Sequence, residues 1–78
     1  MSQVDAIAVQ WIAYLGYLVQ QHRASPSSFL AYRIGEERIR LLGLAHTADL
    51  SPGKKRLCVK VAKGVLLHMT KLAPKKGH

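Results

Sequence analysis

Apolar positions recur along this chain in helical rhythm, interrupted twice. Near the N-terminus, Val4, Ala8, Trp11, Leu15, Leu18 and His22 alternate steps of four and three, with Ile7, Ile12, Tyr14 and Val19 beside them. The spacing predicts a helix over residues 3 to 23. Its reverse side is small and uncharged, with Ala6, Ala13 and Gly16 next to Tyr17 and Gln20, where a solvent-facing helix normally carries Lys and Glu. A second covered surface is therefore expected. It is either self-association involving Trp11, Ala13, Gly16 and Tyr17, or cover by later helices of the same chain.

Ala24 to Ser28 breaks the rhythm, and Ser25-Pro26 suits a new helix start. Read as one helix, Phe29 to Ala48 scatters its apolar residues around the wheel. A break at Gly35 sorts them into a short helix over 27–34 and a second over 36–48. The second has Ile39, Leu42, Ala45 and His46 on one side and Glu36 and Glu37 in the first turn, where acids are favoured. The competing reading is a β-hairpin turning at Gly35-Glu36, which pairs Leu30 with Leu41 and Tyr32 with Ile39 and gives an α+β fold, an N-terminal helix on a small β-meander. Residues 28 to 72 hold nine Leu against seven Val, Ile and Thr together, which favours helices.

The third segment begins at Ser51, a good N-cap, with Pro52 at the first helical position. Leu57, Val61, Val65, Met69 and Leu72 share one side, widened by Cys58, Ala62 and Leu66. Arg56, Lys60, Lys63 and Lys71 lie opposite within an arc of roughly 80°. Against this helix stand the turn signal Pro52-Gly53, the alternation of Leu57, Val59 and Val61, and the three cations Lys54, Lys55 and Arg56 in the first turn, which oppose the helix dipole. The expected fold is a compact all-α domain of three or four helices over residues 1–73. Residues 74–78 form a basic tail, set off by Pro74 and expected to be mobile.

Spacing in the middle adds one resemblance. Counting from Ser27, Ala31 is fifth, Gly35 ninth, Leu41 fifteenth and Leu44 eighteenth, a pattern that resembles helix-turn-helix DNA-binding proteins. Glu36 departs from it, since the tenth position there is usually apolar. The resemblance implies a second helix that presents Arg38 and Arg40 to a nucleic-acid groove.

Charge changes the picture more than length does. The chain has 78 residues and a net charge of +8. Residues 1 to 51 are balanced, Arg23, Arg33, Arg38 and Arg40 against Asp5, Glu36, Glu37 and Asp49. The remainder carries Lys54, Lys55, Arg56, Lys60, Lys63, Lys71, Lys75 and Lys76 with no acid. A one-signed segment of this kind implies a polyanionic partner, DNA or RNA first, with a ribosomal or chromatin setting in view. Catalysis finds little support, because the few acids are not paired for proton transfer. His22, His46, His68, His78 and Cys58 have no metal-site spacing, and neither a cofactor nor a small-molecule substrate is expected. Cys58, alone, suits a reducing, cytoplasmic setting. The uncharged run from Ala6 to Gln21 is too short for a membrane span, and it has no basic leader or cleavage site of a signal peptide.

The leading expectation is a nucleic-acid-binding protein that contacts phosphates through Lys54, Lys55, Arg56, Lys60, Lys63 and Lys71, helped by Arg38 and Arg40, with weak sequence preference. It is expected as a homodimer or a subunit of a larger complex. The alternative is a helical adaptor that docks on a protein through its uncharged first helix; a peripheral role on anionic lipid is third.

Overall fold

The computed structural model describes residues 2–72, with side chains through Thr70, and folds them into three helices: α1 (Gln3–Ala24), α2 (Ser28–Ala45) and α3 (Pro52–Leu72). There is no strand among the described residues, so the hairpin at Gly35-Glu36 does not form. The expected tail, with Lys75, Lys76 and His78, lies outside the described residues.

Each helix starts where a side-chain oxygen takes an otherwise unpaired N–H. Ser2 Oγ accepts from Asp5 N–H at 3.0 Å, Ser27 Oγ from Leu30 N–H at 3.0 Å, and Ser51 Oγ from Lys54 N–H at a long 3.5 Å. The second of these corrects the sequence reading. Ser25 instead ends α1, donating its N–H to Gln21 O at 2.9 Å, and Pro26 lies outside both helices.

The break expected at Gly35 is also corrected, because α2 runs through it without interruption. Gly35 has open space around its Cα and no left-handed backbone, so nothing there requires a turn. One continuous stripe explains the helix: Leu30, Ile34, Glu37, Leu41, Leu44 and Ala45 face inward. Glu37 hides that stripe in the sequence. It is buried although acidic, held by Arg33 Nη2 at 3.4 Å one turn away. With the turn gone, the helix-turn-helix resemblance has no structural counterpart.

Leu15, Ile34, Leu41 and Cys58 are the largest fully buried side chains, joined by Ala8, Leu18, Ala45, Leu50, Ala62 and Val65. Helix α2 packs extensively on both neighbours, and α1 meets α3 more lightly. Helices α1 and α3 run in the same direction. Ser51 N–H donates to Asp5 Oδ1 at 3.0 Å at one end, and the His22 and His68 rings meet edge-to-face at 5.9 Å between centroids at the other.

Candidate nucleic-acid interface

The buried side of α3 is set by its smallest residues. Cys58, Ala62 and Val65 point into the core, so the inward direction is turned roughly 65° from the Leu57–Val61–Val65 line that the sequence suggests. Leu57 and Leu66 are left exposed, together with Leu67. The opposite arc is where Arg56, Lys60 and Lys63 project, all exposed. With Lys55 and Val59 they line an open depression of about 440 Å³ along the outer flank of the helix. Leu67 shares that arc, so the cationic row is interrupted one turn beyond Lys63.

No acid among the described residues pairs with this row. The Glu36 and Glu37 carboxylates lie within 3.5 Å and 3.4 Å of Arg33, whose Nη2 also donates to Tyr14 Oη at 3.1 Å and ties α2 to α1. Asp5 is held at the start of α3. The Ser51 N–H bond, helped by Ser51 and Ser2 side chains and by the Lys54 charge, keeps its carboxyl below the usual carboxylate range. Lys55, Arg56, Lys60 and Lys63 thus retain their positive field.

Asp5 also answers the difficulty posed by three cations in the first turn of α3. A carboxylate from α1 takes the N–H at that helix start and supplies the negative charge that the turn's own sequence lacks. Sequence reasoning missed this because the two groups are 46 positions apart. Lys54 faces this contact, half-buried, and is set apart from the exposed row. The Lys71 side chain lies outside the described residues.

Arg38 and Arg40 do not act as one reading surface. Two residues apart on a continuous helix, they diverge by roughly 200°. Arg40 is exposed on the outer side of α2; Arg38 is half-buried. Arg38 sits about 140° around the helix from Arg33, the residue that reaches α1, which puts it on the side of α2 away from α1.

On α1, Ala13, Gly16 and Tyr17 are exposed, so neither α2 nor α3 covers that side among the described residues; Trp11 is half-buried and packs against the core. The histidines do not assemble with Cys58 into a metal centre: no group of three His, Cys, Asp or Glu is close enough among the described residues. Cys58 is buried in the core, and that burial, with Asp5 nearby, pushes its thiol above the ordinary range. No described helix is long and apolar enough to cross a membrane. Comparison of the chain with protein-family models, curated proteins and solved structures gave no match.

Proposed function

We propose that the outer face of α3 binds the phosphate backbone of DNA or structured RNA, with Arg56, Lys60 and Lys63 as the central contacts and Lys55, Lys71 and Arg38 extending them. One observation carries the reading: the helix has six cations and no acid, while Asp5, Glu36 and Glu37 are occupied elsewhere by Ser51 and Arg33. A surface that needed only solubility would mix both signs. Phosphate contact and counterion release dominate the affinity, and sequence preference is weak because no paired side chains are set to read base edges.

The test is charge reversal inside the row. Lys60→Glu with Lys63→Glu leaves the buried side of α3 untouched, so the helical circular dichroism signal should be unchanged. Affinity for duplex DNA or a structured RNA should fall strongly, and the slope of log affinity against log salt should become shallower by about one unit for each phosphate that is no longer neutralised. Lys75→Glu with Lys76→Glu makes the same change in net charge and should cost less. Equal losses from both pairs would mean that net charge alone matters, which would overturn the role given to the row.

A second reading draws on the exposed, charge-free Ala13, Gly16 and Tyr17, a surface suited to docking on another protein. Salt separates the two readings. Phosphate binding weakens steeply with ionic strength, and apolar docking on α1 persists.

A further inference from the structure

The apolar residues of α2 that do not face the core are themselves ordered. Phe29, Tyr32, Glu36, Ile39 and Gly43 succeed one another in steps of three and four, which places them on a single line along the outer side of the helix. Phe29, Tyr32 and Ile39 are 69%, 65% and 65% exposed, the three most exposed large apolar side chains of the core-forming helices. Gly43 closes the line with open space around its Cα. Arg40 is exposed at the edge of this line, one turn beyond Glu36.

We infer that this stripe is a self-association surface, on which α2 of a second copy lies antiparallel about a two-fold axis near Arg38–Ile39. The register follows from the charges. In an antiparallel pair centred there, each Glu36 falls opposite the partner copy's Arg40, twice by symmetry, and the two Ile39 side chains meet at the axis. The same register brings Tyr32 over the gap at the other copy's Gly43. A parallel pairing in register would instead set Glu36 against Glu36 and Arg40 against Arg40, which repel. Glu36 remains free to take this partner although Arg33 and Tyr32 touch it, since a carboxylate offers several acceptor positions.

Size sets the strength. Aromatic side chains bury ~150–250 Å² each, so the two Tyr32, each about two-thirds exposed, contribute roughly 260 Å², and the two Ile39 at the axis add to this; Phe29 falls beyond the end of the partner's α2. The total is well below a standard interface of ~1,600 Å². A surface this small gives a weak pair that exchanges readily. This inference does not depend on what α3 binds.

Sedimentation velocity of nucleic-acid-free protein, from low micromolar to about 0.5 mM, tests it. The wild type should move from monomer to dimer mass across that range. Glu36→Arg and Arg40→Glu should each weaken association by at least about tenfold, because each places like charges opposite one another. Mixed one to one, these two variants should associate with each other, since one then carries two cations and the other two anions at the same positions. Ile39→Asp, which touches no ion pair, should stay folded and monomeric, and so covers the case in which breaking the Arg33–Glu36 pair unfolds a charge variant. A wild type that remains monomeric at the highest concentration overturns the inference. So do single variants that dimerise as the wild type does, or a mixture that does not associate.

Discussion

The two ends of the α1–α3 contact are built differently. At the Ser51 end, the buried carboxylate of Asp5 receives an N–H from the start of α3, and its charge opposes the cations of that turn. At the other end His22 and His68 meet ring to ring, and His22 Nδ1 and His68 Nε2 are buried without a hydrogen-bond partner. Burial, Arg23 and His22 together hold the His68 imidazole below its ordinary pKa. One end is fastened by a matched polar pair; the other tolerates unmatched groups. The core between them is thus secured more firmly where α3 begins than where α1 ends.

Removing the matched group should break this asymmetry with the largest effect. Asp5→Ala leaves the Ser51 N–H without its acceptor and the first turn of α3 without its counter-charge, so the melting temperature at neutral pH should fall further than for any other change considered below. The same variant should speed modification of Cys58 by a thiol reagent, because Cys58 lies on α3 within reach of the Asp5 charge. In the wild type the depressed carboxyl contributes stability that is present above about pH 4 and is lost as pH falls through its folded value. That acid limb should vanish in Asp5→Ala.

His68 titrates in a different window. A folded pKa below the ordinary value means that the unfolded chain takes up the proton first, so stability falls as pH drops from about 6.5 through the lower folded value. His68→Leu should flatten thermal stability between about pH 7 and about pH 5 and raise it at neutral pH by on the order of 1 kcal/mol, since an unpaired buried nitrogen is replaced by carbon. An unchanged slope over that interval would mean that the histidine end does not weaken on acidification.

The smallest change provides the reference between the ends. Gly35→Ala, in the middle of α2 and facing open space, should add about 0.5–1 kcal/mol without altering either pH limb. A loss instead would show that the helix has to bend there.

The elements that can be read from the sequence are those whose signal is local. The α1 stripe from Val4 to His22 needs only helical period, and the run of cations on α3 needs only a count of charge. The Ser51 cap is equally plain. What escapes depends on groups brought together from afar or on pairs that disguise a residue. Glu37 reads as solvent-facing until Arg33 accompanies it inward, and without it the stripe of α2 looks broken. The outer line through Phe29, Tyr32 and Ile39 compounds the error, because two apolar faces on one helix look like disorder in a single one. On α3, the inward direction follows Cys58 and Ala62 because small residues allow close approach, whereas hydrophobicity alone favours Leu57 and Leu66. Ser25 and Ser27 differ only in geometry, which no composition records.

The absence of acids from α3 would also have a kinetic consequence for the binding proposed above. A body whose excess positive charge lies mostly on one helix, with α1 carrying no net charge, has an electric dipole that would turn it in the field of a polyanion before contact. If α3 binds a polyanion as proposed, encounters begin with α3 foremost, and collisions that start from the α1 side are reoriented rather than wasted. Such steering acts over roughly a Debye length, about 8 Å at physiological salt, so for the proposed complex ionic strength would set how often an approach succeeds as well as how long the complex lasts.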